Sequence, residues 1–499
     1  MANIASRLTP FAPLAGGIVV AAGTIALLEN FPMRWVFALL GGLLLLFPPL
    51  IIKNPRAYGI GLFLILLMIQ GGKGVNLTKN IIDDVEIVET LGIPPLRTLG
   101  LMIRPSDVVL LCLVGNWLLS VLKGKEKIRV SWPGYLALAY LAWAALSSIL
   151  NASYFNLSIL EFIQQARAIL VFFYVSNAVN STELVRKLRT VLIVCLLLEG
   201  SLALIGWKVP AASDLLSLLG DSSREGTTEL AVAFEDGTGR RALGTFKDYA
   251  VTALYLHFLL PLALCRFVLS PEARIKRSYL LLYLLGFAAL LATFSRAGLI
   301  AELSGLACWL LLAYRNRMVS GRALVLIACS VLLLVVSLSP LIEDYIMSRP
   351  TMALARLPIM EKGLQMIAQR PVLGVGLNNS TAIKKETFIV AQGMEDTSQF
   401  VHNHYMIIAM ESGLVGLALF LGFFVAVSRE ALHQTRSPNP EISAFAISIL
   451  CAFVACGVQV LFDTLGSYVI FTMLFFYAGL VVAFQRMNLD AVPRNVGLS

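Results

Sequence analysis

Charge is what this sequence has least of. Only 14% of its 499 residues are Asp, Glu, Lys or Arg, against roughly 25% in an ordinary globular chain. With 58% hydrophobic residues and a mean hydropathy of +0.81, a soluble fold of two or three domains is excluded, and so is a disordered chain. Neither a GxxxxGK[ST] phosphate loop nor a GxGxxG fingerprint occurs, so no motif points to a nucleotide. The seven cysteines all fall inside apolar runs without CxxC spacing. They read as small core residues and not as a disulfide, metal or redox framework. Histidine is scarcer still, with four residues in the whole chain.

What is abundant is the apolar run. A helix crossing the hydrocarbon layer needs about 20 mostly apolar residues, and such runs recur almost end to end, which excludes a single-anchor enzyme and a β-barrel. About fourteen spans are expected, near 13–29, 34–52, 57–72, 106–122, 134–150, 165–180, 188–206, 247–269, 278–294, 297–314, 322–340, 404–427, 442–462 and 466–485. The first is read as a span and not a cleaved leader, since its flank holds one positive charge, Arg7. The expected fold is an all-α polytopic membrane protein. It divides into helices 1–7 within 1–206, with an outer loop at 73–105; an outer loop at 207–246; helices 8–11 within 247–340; a large outer loop at 341–403; and helices 12–14 with a tail within 404–499.

Orientation follows from Lys and Arg in the connections. With the N-terminus inside, the inner segments hold 21 of the 39 basic residues and 6 of the 30 acidic ones, a balance of +15 that leaves −6 elsewhere. The positive-inside rule therefore puts both termini in the cytoplasm. The formal net charge of +9 is explained by topology, and no nucleic-acid partner is implied. Inner connections are short and three outer ones are long, so chemistry is expected on the outer face. Nucleoside triphosphates and nucleotide sugars are absent there, which leaves hydrolysis or a substrate already activated on a lipid.

Two histidines lie on that face, His402 and His404, in Phe400-Val-His-Asn-His-Tyr405 at the mouth of a span. Imidazole suits proton transfer near neutrality; the structural alternative is a hydrogen-bonded junction residue. Arg240 and Arg241 precede the eighth span, and Arg296 sits at a tight outer hairpin. A guanidinium fork suits diphosphate oxygens, the alternative being snorkelling toward lipid headgroups. Arg167, Arg349, Arg356 and Arg370 are further outer arginines, most of them expected in scaffold ion pairs. Glu199, Glu302, Glu411 and Asp463 are costly acids inside spans. Glu302, about 9 Å below Arg296 on a helical rise, either tunes the site or pairs with an arginine, and pairing is the expectation. The Asp83-Asp-Val-Glu86 cluster reads as a solvated helix start.

His402-Asn403, nine residues, then Gly413-Leu-Val-Gly416 reproduces an H-[NSQ]-x9-G-x-x-[GTY] pattern. Ser295-Arg-Ala297, Arg370-Pro-Val-Leu-Gly-Val-Gly-Leu377 and Arg241-Ala-Leu-Gly-Thr-Phe246 accompany it in order. Together, over roughly residues 235–425, these stretches resemble the O-antigen ligase and polysaccharide polymerase family of bacterial envelopes. One departure is Lys247-Asp-Tyr249, where many members carry Pro-Asn.

The resemblance implies a glycosyltransferase-C-like, metal- and cofactor-independent enzyme of the bacterial inner membrane with a periplasmic active site. Its donor would be an undecaprenyl-diphosphate-linked glycan and its acceptor a sugar hydroxyl. By that resemblance His402 is the general base, with Arg296 and Arg241 holding the diphosphate. Arg240, Asn403, His404, Arg370 and Glu302 are the further substrate-binding candidates, and His404 is an alternative base. Gly374, Gly376, Gly413 and Gly416 are expected to allow turns or close packing. A flippase and a chain-length regulator are the protein partners implied. Fourteen spans favour a chain polymerase, with an O-antigen ligase that attaches glycan to the lipopolysaccharide core as the alternative. A lipid or polysaccharide transporter is the reading from another class, disfavoured because the charges cluster at the outer boundary without an internal repeat.

Overall fold

The computed structural model describes residues 54–69, 104–209, 241–246, 248–322, 325, 356–380, 401–465 and 467–491. Among them the regular structure is entirely helical. In chain order the helices are α1 (Pro55–Leu67), α2 (Pro105–Leu122), α3 (Trp132–Asn151), α4 (Phe155–Ala178), α5 (Thr182–Lys208), α6 (Tyr249–Leu269), α7 (Ala273–Ala292), α8 (Arg296–Arg315), α9 (Arg356–Gln369), α10 (His404–Gln434), α11 (Pro440–Gln459) and α12 (Tyr468–Ala491). Ten of these, all but α1 and α9, are long and apolar enough to cross a membrane. The protein is an all-α polytopic membrane protein. Each of the ten coincides with a run expected from the sequence. The runs at 13–29 and 34–52, nearly all of 322–340, and the acidic cluster at 83–86 lie outside the described residues. Helix α1 crosses the division between two compact units, Met1–Leu62 and Phe63–Ser499; the other described helices belong to the second.

Two helices form the interior of that second unit. Along α6 every side chain from Val251 to Ala263 is buried, because the segment is apolar on all sides and is surrounded by α5, α7, α8, α11 and α12. Pro261 lies inside it and cannot donate the next helical bond. The Tyr477 hydroxyl of α12 donates to the Phe258 carbonyl at 2.6 Å, one turn before the proline, where backbone polar groups in an apolar setting need a partner. Helix α12 is similarly enclosed, packing on α4, α10 and α6, with Phe471, Phe475 and Phe423 of α10 in a ring cluster.

Helix starts follow the expected chemistry. Ser131, Ser181, Asp248, Ser295, Asn403 and Asn439 are N-caps whose side chains accept a first-turn N–H, each worth about 1 kcal/mol. Helix α4 begins ten residues before the expected span at 165, since Glu161 does not end it. Glu161 is buried and its carboxylate accepts from Gln165 Nε2, one turn on, at 3.1 Å. At the opposite end of the bundle, Glu441 of α11 pairs with Arg189 of α5 and Arg266 of α6.

Candidate active site

The first arginine sits on a short platform built by buried bonds. Thr245 donates to Glu199 of α5 through its backbone N–H (3.0 Å) and its hydroxyl (2.8 Å). The Thr252 hydroxyl of α6 donates to the Leu243 carbonyl at 2.5 Å. Gly244 has φ +57°, and a Cβ there would collide with the Glu199 carboxylate, so the Gly-Thr of the motif is fixed by backbone conformation and space together. Glu199, a costly acid inside a span, is used to hold this turn. Arg241 lies at the platform's start with its guanidinium over the Tyr249 ring, 4.2 Å from the centroid. Arg240 lies outside the described residues.

The same platform meets the second arginine. The Ala242 N–H donates to the Ala292 carbonyl at the end of α7 (2.8 Å), next to the three-residue turn Thr293-Phe-Ser295 that leads into Arg296. The turn is tight enough to place Phe294 at φ +49°. Thr293 Oγ1 accepts from Ser295 N (3.2 Å) and Ser295 Oγ from Gly298 N (3.0 Å). Arg296 is therefore the first residue of a capped helix, half-buried, where the helix N-terminus adds to its positive potential.

Directly below lies a buried polar chain. His257 Nδ1 is 2.7 Å from Glu302 Oε2 and its Nε2 is 2.9 Å from Gln459 Oε1. Gln459 Nε2 in turn donates to the Ala250 carbonyl at 3.0 Å. With the amide committed that way, its oxygen faces His257 Nε2, and the Glu302 carboxylate faces the other ring nitrogen. Glu302 thus has a histidine partner where an arginine was expected, and it is only 3% exposed. The chain pins the starts of α6 and α8 to the end of α11.

The connection from α11 to α12 carries the arrangement across to the histidines. His404 donates its backbone N–H to the Val460 carbonyl (2.9 Å), and its Nδ1 accepts from Leu465 N (3.3 Å). Asp463, between those two contacts, lies near Tyr249, the ring under Arg241. His404 is buried, with its ring 6.3 Å from that of Phe420. Asn403 caps α10, its Oδ1 accepting from Met406 N at 3.0 Å. His402 stands just ahead of the cap, half-buried.

Helix α10 breaks at Gly413, which has φ +70° and ψ 179°, and the Arg370–Leu377 motif fills the break. Val375 N and Gly376 N donate to the Met410 and Glu411 carbonyls (both 2.9 Å), and Leu414 N donates to the Pro371 carbonyl (2.7 Å). Trp143 Nε1 and the Ser147 hydroxyl of α3 take the Ser412 and Glu411 carbonyls (2.9 and 2.8 Å). A Cβ on Gly413 would overlap the Val372 carbonyl. The nine-residue interval of the motif is thus the two and a half turns of α10 between its cap and its break. Arg370 is exposed and donates to the Asn151 carbonyl at 3.3 Å. Asn379, fully buried, bonds Tyr154 and Ser158 of the α3–α4 side, and Ser380 donates to Glu411 Oε1 (2.8 Å).

Residues 281–421 match the O-antigen ligase family model. The match supports the O-antigen ligase and polymerase family that the motifs resemble. It spans Arg296, Glu302, Arg370, His402, Asn403, His404 and Gly413 and stops short of Arg241. Among curated proteins none matches the chain. Among the described residues no three His, Cys, Asp or Glu side chains come together as metal ligands.

Gln459, His257 and Tyr249 escaped sequence reasoning as site elements. Each is a polar residue in or beside an apolar run, and only the cost of burying a polar group there singles it out.

Proposed function

We propose that the protein is a membrane glycosyltransferase that moves a glycan from undecaprenyl diphosphate to an acceptor sugar hydroxyl on the periplasmic face, without a metal. In this reading His402 takes the proton of the acceptor hydroxyl as its oxygen attacks the anomeric carbon. The bond to the diphosphate oxygen breaks, and the departing charge is held by Arg296 and Arg241 in preorganised positions. The observation that carries the reading is the Ala242–Ala292 backbone bond, which docks the Arg241 platform beside the turn that opens into Arg296. Arg240, Arg370 and the Asn403 amide complete the proposed donor and acceptor contacts. Glu302 supports them from below. His404, with Nδ1 engaged by Leu465, is assigned the positioning role and His402 the base.

The acceptor favoured here is a second lipid-linked repeat, which makes the enzyme a polymerase working with a flippase and a chain-length regulator. A ligase is the second reading, favoured by the description of the matched family. A deletion strain separates the two: glycan shortened to one repeat supports the polymerase, and loss of all attached glycan supports the ligase. Purified protein given lipid-linked glycan tests the chemistry itself. Product formation that His402→Ala abolishes, with the protein still folded, supports transfer; no product from the wild type, or full activity in the variant, overturns the mechanism.

A further inference from the structure

At the end of the bundle opposite the arginines, α2, α4 and α12 finish and α3 and α5 begin. Between them lies a cavity of about 630 Å³, within the roughly 300–1,000 Å³ range of small-ligand sites. Its rim is the α2–α3 connection, which contributes Lys125, Glu126, Lys127 and Arg129. Its floor includes Arg486 of α12, whose guanidinium donates to the Ser176 and Arg129 carbonyls (2.6 and 2.7 Å) and to Asn177 Oδ1 (3.1 Å). The first turn of α5 also lines it, adding the positive end of a 27-residue helix. Lys125 and Lys127 are exposed, and neither enters an ion pair among the described residues. Four cationic side chains against one carboxylate select an anion.

The flank of the cavity fixes its level relative to the bilayer. Three residues beyond Arg129, α3 opens with Trp132, 68% exposed, followed by Tyr135, 57% exposed. Exposed Trp and Tyr at the end of an apolar helix mark the headgroup layer. Ile128, 51% exposed on the rim connection itself, is suited to contact acyl chains. A soluble anion has no use for that apolar flank, whereas a lipid uses both parts at once.

We propose that this cavity is a binding site for the phosphate headgroup of an anionic phospholipid, held by Lys125 and Lys127 over Arg486 with its acyl chains remaining beside α3 in the bilayer. Because basic side chains near a charged lipid surface add to its retention, removing both is expected to weaken retention by at least about tenfold.

Native mass spectrometry of the full chain, purified with cardiolipin or with phosphatidylcholine, tests this. The expected result is retained cardiolipin on the wild type, at least tenfold less on Lys125→Gln/Lys127→Gln, and no retained phosphatidylcholine. Lys187→Gln, which removes an exposed lysine paired with Glu183 outside the cavity, controls for charge alone and is expected to retain lipid like the wild type. Equal retention of both lipids, an unchanged double variant, or equal loss in the Lys187 control overturns the assignment. Displacement of cardiolipin by millimolar inorganic phosphate also overturns it, in favour of a soluble anion.

Discussion

His257 and Glu302 meet at 2.7 Å in the interior of the bundle, and that one contact ties the helix that follows Arg241 to the helix that begins with Arg296. Both side chains are buried, and each is the other's compensation for leaving water. Removing one partner strands the other, at a cost of about 3–5 kcal/mol. Glu302→Ala is therefore expected to lower the thermal midpoint of the purified protein sharply. Glu302→Gln, which keeps a hydrogen-bonding oxygen of the same shape, is expected to lose far less. Equal loss in both variants would assign the stabilisation to packing and not to the polar chain.

The two histidines of the motif are expected to separate by phenotype. His402→Ala removes the proposed base and is predicted to cut transfer by about 10²–10⁴-fold with an unchanged melting profile. His404→Ala strands the Leu465 N–H in a buried site, a loss of about 1–3 kcal/mol, and is predicted to lower stability along with activity. Parallel melting curves and single-turnover assays on the two proteins distinguish them.

Arg296→Lys and Arg241→Lys keep the charge and lose the planar fork. Because bidentate diphosphate recognition needs that fork, each is predicted to slow transfer by about tenfold or more at saturating donor. Arg370→Lys, at an exposed position with one long bond to the Asn151 carbonyl, is predicted to change transfer less. An Arg370 variant as impaired as the other two would move the diphosphate site toward the α10 break.

Two glycines of the same helix make opposite predictions. Gly413→Ala demands a left-handed φ from a residue with a Cβ and drives that carbon into the Val372 carbonyl; the helix break and the Arg370–Leu377 insertion cannot both survive. Loss of folded protein is expected. Gly422→Ala meets no atom within 4 Å and sits in regular helix, where alanine is favoured by about 0.5–1 kcal/mol; a small rise in melting temperature is expected. Expression and thermal denaturation of the pair read this directly.

Most of the helical framework is legible from composition, since only helices satisfy every backbone group inside a bilayer and polar breaks bound them. Arg241, Arg296 and the His402–His404 pair are legible as rare polar residues next to apolar runs. The start of α4 was not, because the ten residues ahead of the expected span include the charged Glu161, whose burial only the fold supplies. Nor was the partner of Glu302: residues 257, 302 and 459 are 45 and 157 positions apart, and no local pattern relates them.

Hydropathy alone makes this a multi-span membrane protein, and the order of its motifs carries the resemblance to O-antigen ligases and polymerases. Both are readable one segment at a time, since hydropathy and motif spacing are local properties. The reason for the motifs' spacing emerges only from contacts between distant segments. The Arg370–Leu377 strand of backbone occupies a helix break at Gly413, Glu199 holds the turn after Arg241, and the α11–α12 connection joins the arginine side to the histidine side. Those relations are hydrogen bonds between segments far apart in the chain, and they form because buried polar groups must find partners wherever folding places them.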